Sequence, residues 1–207
     1  LMVKIKICGI TNIEDAMAAV DFGADALGFN FFKKSPRYIE PHKAAEIIAQ
    51  LPPFVVPVAI FVNEREERIR EILVSACIHG VQFHGDETPE FCQRFGNHVI
   101  KAFQVKDKES IKHMAHYRVS AYLLDSYREG VRGGTGETFD WHLAVVAKTF
   151  GRIILAGGLN PDNVAEAVKL VQPYGVDVAG GVERGKGIKD HGKLKKFISE
   201  VRGASRP

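Results

Sequence analysis

The sequence predicts an α/β chain folded as a closed (β/α)8 TIM barrel, on three observations. Eight short apolar or β-branched runs occur along it, each trailed by a helical pattern. The runs recur at roughly 20 to 30 residues, the length that a strand, a right-handed crossover and its helix consume. Glycine pairs follow the seventh and eighth runs, whereas the turn after the first holds the single Gly9. An open doubly wound sheet would carry its glycine-rich turn after strand one, so the closed barrel is favoured.

Each pair of elements has its own signals. Val3–Ile7 is followed by Thr11 and Asn12, either of which can cap a helix through Ala16, Ala19 and Val20 with Glu14 and Asp15 in its first turn. Ala26–Phe31 leads to Pro41 at a first-turn position and to the stripe Ala44, Ala45, Ile47, Ile48. After Val55–Phe61, Asn63 precedes a charged helix (Glu64, Arg65, Glu66, Glu67) whose Ile69, Ile72 and Leu73 face inward. Gly80–Phe83 precedes Thr88-Pro89, and Val99–Phe103 precedes Lys106-Asp107. Ala121–Leu124 comes ahead of Phe139-Asp140, Arg152–Leu155 ahead of Asn160-Pro161-Asp162, and Val176–Ala179 ahead of Lys189-Asp190. These polar dipeptides and tripeptides read as helix starts. No linker-like composition shift or low-complexity segment interrupts the pattern, so one domain over residues 1–207 is expected.

Composition narrows the function classes. The 207 residues are 45% hydrophobic and 26% charged, with a net charge of +3. That mild excess suits a small anionic molecule, and with no basic run of five or more residues it does not make a nucleic-acid footprint. Three cysteines (Cys8, Cys77 and Cys92) are too few for a disulfide framework and fit a reducing compartment. No apolar run approaches the roughly 18 residues of a membrane span, and the opening residues lack the apolar core of a signal peptide, so a cytoplasmic location without membrane contact is expected.

Barrel enzymes work at the C-terminal ends of their strands. The residues after the eight runs are Cys8; Lys33, Ser35 and Arg37; Asn63; His84; Gln104; Asp125; Gly157-Gly158; and Gly180-Gly181. Gly157 and Gly158, with Ala179, Gly180 and Gly181, stand where such barrels bind phosphate through backbone N–H groups; plain tight turns are the blander reading. Cys8 reads equally as a core thiol or a reactive one. Asp125 ends an apolar strand, where burial would favour the neutral acid, although a structural aspartate bonding loop N–H groups fits too. Arg37 can clamp a carboxylate, with a surface arginine as the alternative, and His84 can orient a substrate hydroxyl or carboxyl. Gly180–Gly187 nearly matches a Walker A loop but has Gly187 where a magnesium-binding hydroxyl is needed, and too little chain follows it. His113 and His116 sit three apart without partners, so no zinc pattern emerges.

Taken together, the motifs carry a family resemblance. Lys6-Ile-Cys-Gly-Ile-Thr11, Ser35-Pro-Arg-Tyr-Ile39, Gln82-Phe-His-Gly85 and Leu123-Leu-Asp125 come first. They are followed by Gly133-Gly-Thr-Gly136 leading to Phe139-Asp-Trp141, then Leu155-Ala-Gly-Gly-Leu-Asn-Pro161, Val176-Asp-Val178 and Gly181-Val-Glu183. In this order and spacing the chain resembles phosphoribosylanthranilate isomerases of tryptophan biosynthesis over nearly its whole length. The resemblance implies a cytoplasmic enzyme without metal or cofactor that performs an Amadori rearrangement on a small anionic phosphosugar. It implies Cys8 as general base, Asp125 as general acid, Arg37 on the anthranilate carboxylate, His84 and Asp177 on the substrate, and backbone amides around Gly158 and Ala179–Gly180 on the phosphate. The chain departs from the family at Gly180, where a serine is usual, which implies a reshaped phosphate site, and at Lys186, where a proline is common.

Two other readings stay open. A related phosphosugar isomerase on the same barrel would carry an aspartate at strand one and a second glycine pair after strand three, where Phe61-Val62-Asn63 stands. A non-catalytic phosphoribosyl-ligand binder would keep the barrel without turnover. The assembly expected is a monomer or a homodimer.

Overall fold

The computed structural model describes residues 2–96, 98–126 and 139–205. The Gly133–Gly136 motif lies outside the described residues. Eight parallel strands close into a barrel: β1 (Lys4–Cys8), β2 (Ala26–Asn30), β3 (Val56–Phe61), β4 (Gly80–Phe83), β5 (Val99–Val105), β6 (Ala121–Ser126), β7 (Ile153–Leu155) and β8 (Gly175–Val178). Each pairs with its sequence neighbour, and β1 pairs with β8, bringing Lys6 level with Asp177. The (β/α)8 barrel expected from the sequence is therefore the fold.

The helices are α1 (Ile13–Phe22), α2 (Pro41–Ile48), α3 (Glu66–Ser75), α4 (Pro89–Gln93), α5 (Lys108–Lys112), α6 (Trp141–Ala147), α7 (Val164–Val171) and α8 (His191–Ala204). Of the two candidate caps for α1, Asn12 is used: its Oδ1 accepts from Asp15 N–H at 2.8 Å. Thr88, Asp107, Asp140 and Asp190 cap α4, α5, α6 and α8 in the same way. Such caps satisfy N–H groups that a helix start otherwise leaves without acceptors.

Boundaries differ from expectation where polar side chains are used for something else. The third helix begins at Glu66, so Glu64 and Arg65 lie outside it. Asn63 takes a left-handed φ of 51°, its N–H donates to Glu87 at 2.7 Å, and its Oδ1 accepts from Asp86 N–H, so it ties two loops together. The seventh helix begins at Val164, after Asn160 has folded back to accept from the N–H groups of Asp162 and Asn163. Strands β5 and β6 run two residues beyond their apolar runs because Gln104 and Val105 continue to pair with Asp125 and Ser126. Asp125 is thus the penultimate residue of β6 and does not follow it.

Side-chain alternation along the strands divides the interior in two. Ile5, Ile7, Leu27, Phe29, Ala59, Phe61, Phe83, Leu155 and Val176 join the apolar layer between sheet and helices. Ile100, Ala102, Ala121, Leu123, Ile154 and Ala156 form a separate cluster on the alternate positions of β5–β7, inside the barrel. Each fully buried aliphatic contributes about 1.5–3 kcal/mol. Opposite that cluster, β1 and β8 place Lys6 and Asp177, 5% and 8% exposed.

Candidate active site

A cavity of about 760 Å³ opens at the C-terminal mouth of the barrel. Its lining includes Cys8, Arg37, His84, Asp125, Gly157, Gly158, Asp177, Ala179, Gly180 and Gly181, which is every residue singled out from the sequence for catalysis, substrate or phosphate. Lys33, Asn63 and Gln104, also read as mouth residues, are absent from that lining, and Lys34 stands in the place expected of Lys33. The volume lies within the usual range for a small-molecule site, about 300–1,000 Å³.

Cys8 is the last residue of β1, held beside Gly28 of the neighbouring strand. A Cβ added to Gly28 would come within 3.0 Å of the Cys8 sulfur, so the space beside the thiol exists because residue 28 lacks a side chain. Burial pushes the Cys8 thiol up from its ordinary value. The positive charges of Lys6, Lys189 and Arg37 pull it back, and Asp177 adds to the rise.

Asp125 is 4% exposed, and its Oδ1 accepts from Ser126 N–H at 2.9 Å. Its Oδ2 lies 3.3 Å from His84 Nε2, and His84 Nδ1 lies 3.0 Å from Gln82 Nε2. Three side chains from β4, its following loop and β6 thus form a row ending at the carboxyl. Gly157, with a φ of 75°, lets the β7 loop pass against it; a Cβ there would sit 2.9 Å from Asp125 Oδ1 and overlap Ser126 N.

Arg37 reaches the cavity from the loop after β2, but it does not stand alone. Its Nε and Nη2 donate to Glu183 Oε1 and Oε2 at 2.7 and 2.8 Å. This fork fixes the plane of the guanidinium and leaves Nη1 outside the pair. Glu183 opens the short strand β9 (Glu183–Gly185), which pairs antiparallel with β10 (Ile188–Lys189). The buried Lys189 ammonium donates to Glu183 Oε1 at 3.0 Å and to the Cys8 carbonyl at 2.6 Å. Burial works to raise the Glu183 carboxyl, and the two cations hold it below its ordinary range.

The glycine loops meet each other. A Cβ on Gly181 would overlap the Leu159 carbonyl oxygen, so the loops after β7 and β8 pack backbone to backbone. A 3-10 turn over Gly180–Val182 begins at the cavity wall, and the N–H groups of a helix's first turn lack acceptors within it. Asn163 Nδ2 donates to the Gly158 carbonyl at 3.0 Å, which fixes the facing loop. Gly180, where the sequence resemblance leads one to expect a serine, lies against Arg37: a Cβ there would be 3.2 Å from Nη2.

Sequence reading missed Gln82 in the cavity wall, and behind the wall Glu183, Lys189 and Lys6, the last of which also borders the hollow at the opposite mouth. Lys6 and Gln82 were recoverable from alternation, being two residues before Cys8 and His84 on strands that point alternate side chains inward. Glu183 and Lys189 gave no such signal, because a hairpin after the last strand brings them back. Among the described residues, no group of three or more His, Cys, Asp or Glu side chains is placed to hold a metal ion, and no helix is long and apolar enough to cross a membrane.

Comparison with known proteins agrees with this geometry. A family model described as N-(5'phosphoribosyl)anthranilate (PRA) isomerase matches residues 5–200. The N-(5'-phosphoribosyl)anthranilate isomerase of Geotalea uraniireducens is 54% identical over 202 residues, covering 98% of this chain and all of the relative. A solved structure of monomers derived from the dimeric phosphoribosylanthranilate isomerase of Thermotoga maritima superimposes with a TM-score of 0.88 at 41% identity, over 98% of this chain and 100% of that one. A phosphoribosylanthranilate isomerase in complex with reduced 1-(o-carboxyphenylamino)-1-deoxyribulose 5-phosphate has a TM-score of 0.87 at 40% identity, with the same coverage of both chains.

Proposed function

This chain belongs to the N-(5'-phosphoribosyl)anthranilate isomerase family, and we propose that it carries out that reaction of tryptophan biosynthesis with Cys8 as general base and Asp125 as general acid. The observation that carries the assignment is the shared cavity, in which a thiol and a buried carboxyl from β1 and β6 line the same mouth as two interlocked glycine loops.

The loops after β7 and β8 hold the phosphate through backbone N–H groups, which tolerate Gly180 because they need no side-chain hydroxyl. Arg37, its plane fixed by Glu183, turns Nη1 to the anthranilate carboxylate, while His84 and Asp177 contact the substrate between the two anchors. Asp125 in its acid form gives its proton to the ribose ring oxygen. The C1′–O bond breaks, and the anthranilate nitrogen lone pair forms a protonated Schiff base. Cys8 as thiolate then takes the proton from C2′, and the resulting enolamine tautomerises to the ketose. Each placed proton transfer contributes typically ~10²–10⁴-fold in rate. Because the reaction needs Asp125 as acid and Cys8 as thiolate together, kcat/KM should follow a bell-shaped pH profile, with burial of the thiol placing one limb on the alkaline side.

The assembly that fits this chain is a homodimer joined through the N-terminal mouth of the barrel. Phe54 is 93% exposed there and stands at the edge of a second cavity of about 460 Å³ with Val56, Ile100, Ala121 and Ile154 in its wall. A protruding aromatic ring and an apolar hole on one face are what a two-fold contact requires, because each copy supplies both halves.

The test is turnover of phosphoribosylanthranilate, followed by anthranilate fluorescence. The wild-type protein should convert it, and Cys8→Ala should bind it and melt normally yet lose at least about a hundredfold in kcat. Near-full kcat in that variant would remove the base assignment. Tight binding with no conversion by the wild type would favour a non-catalytic binder.

A further inference from the structure

We propose that Lys6 is a positioning residue of the reaction, the counter-charge against which the Cys8 thiolate forms. The proposal rests on the reading of Cys8 as the general base.

The middle of a (β/α)8 barrel is ordinarily filled by bulky aliphatic side chains. Strands β5–β7 follow that rule with Ile100, Leu123 and Ile154. Strand β1 does not. Its central inward position is Lys6, with a side chain 6% exposed, and Nζ donates to Asp177 Oδ1 at 2.8 Å from the position on β8 that lies in register with it. Taking both charges out of water costs several kcal/mol per ion, and well-packed apolar residues commonly replace such pairs without loss of stability. Stability therefore gives no reason for this pair to be here.

The neighbour above it gives one. Cys8 lies two residues further along the same strand, so both side chains leave the same face and Lys6 stands one layer beneath the thiol. The ammonium is held at this level by its bond to Asp177, and its positive charge favours the thiolate form of Cys8. Burial works to lower the Lys6 ammonium, but Asp177, together with Cys8 whenever it is a thiolate, holds it above its ordinary value, so the lysine stays charged.

Four charged groups face the thiol: Lys6 on its own strand, Asp177 on β8, Lys189 on β10 and Arg37 on the loop after β2. Two of the three cations are committed elsewhere. Arg37 is forked onto Glu183, and Lys189 donates to Glu183 Oε1 and to the carbonyls of Cys8 and Ala179. Lys6 has three N–H donors, and Asp177 engages one of them at 2.8 Å. Its other two donors lie outside that bond, on the strand face that Lys6 shares with Cys8.

The experiment is alkylation of the folded protein by iodoacetamide across pH, scored by mass spectrometry of the peptide bearing Cys8, alongside pH profiles of kcat/KM. Lys6→Gln keeps a donor for Asp177 and removes the charge. Its Cys8 alkylation midpoint should rise by at least about one pH unit, equivalent to tenfold less thiolate at a given pH. Its kcat/KM near neutrality should fall at least tenfold, and the alkaline limb of its pH profile should move up in step with the alkylation midpoint. Lys6→Arg should keep the wild-type midpoint. An unchanged midpoint in folded Lys6→Gln overturns the proposal. If that variant does not accumulate as folded protein, Lys6→Met removes the same charge while keeping the volume of the stem, and the same two outcomes decide. The two readings fail separately: active Cys8→Ala would remove the base assignment, whereas an unmoved midpoint would remove only the role of Lys6.

Discussion

At the C-terminal mouth of the barrel the cavity is walled by Cys8, Arg37, Asp125, Asp177 and paired glycines, whereas at the N-terminal mouth Phe54, Val56, Ile100, Ala121 and Ile154 border a smaller hollow. Both ends contain aspartates and cations, used differently. At the N-terminal end Asp25 accepts from Lys4 Nζ at 2.7 Å, from Ile5 N–H at 2.9 Å and from Arg202 Nη2 at 2.8 Å, which stitches β1 to α8. At the C-terminal end the Asp125 carboxyl is buried beside His84 and has a ligand-sized space before it. A carboxylate surrounded by donors from its own fold stabilises; one facing a cavity has bonding capacity left for a substrate. The two ends of one sheet thus divide chemistry from cohesion, as the direction of the strands in such barrels leads one to expect.

Four substitutions break or sharpen that division. Asp125→Asn should lower kcat by at least about a hundredfold with an unchanged melting curve, as measured by steady-state turnover and circular dichroism. If its melting temperature fell instead, Asp125 would belong with the stitching carboxylates. Arg37→Ala should raise KM about tenfold, and because it leaves Glu183 with Lys189 alone it should also cost about 1–3 kcal/mol in a denaturant melt. An unmoved KM would take Arg37 out of substrate binding.

Asp25→Asn should leave kcat alone and change the acid limb of stability. Burial works to raise the Asp25 carboxyl, but Lys4, the Ile5 N–H and Arg202 hold it below its ordinary value in the fold. Its contribution is therefore present above the unfolded value of about 3.9 and is lost as pH falls through the folded one. Wild-type melting temperature should drop in that window, and the variant should show a shallower drop, with Asp15 and Glu183, depressed in the same sense, supplying the remainder. Equal slopes would deny Asp25 a stitching role. Phe54→Ser should have the smallest effect on catalysis, with kcat and KM kept, while sedimentation shifts from dimer towards monomer. A wild-type protein that sediments as a monomer at micromolar concentration would end the homodimer proposal.

How much of this was legible beforehand depended on how local the signal was. The eight strands announced themselves as apolar runs, and the caps at Asn12, Thr88, Asp107, Asp140 and Asp190 were readable because a cap is set by residues two or three apart. The polar ends of β5 and β6 were not, since Gln104 and Asp125 owe their strand conformation to each other across the sheet. Asn63 and Asn160 looked like helix starts and serve instead as loop ties, a choice made by Asp86 and Glu87 for the one and by the fold of residues 160–163 for the other. The cavity residues were found by their place after strands. Arg37 was found without its partner, because Glu183 lies 146 residues further along.

That separation bears on how the enzyme comes into being. During synthesis the arginine emerges first, and the strand that seals the sheet against β1, the carboxylate that aims the arginine, and the lysine that grips the Cys8 carbonyl all emerge later, the carboxylate 146 residues after the arginine. Loss of the segment from Glu183 onward should cost the arginine its aim while leaving all eight barrel strands in the chain.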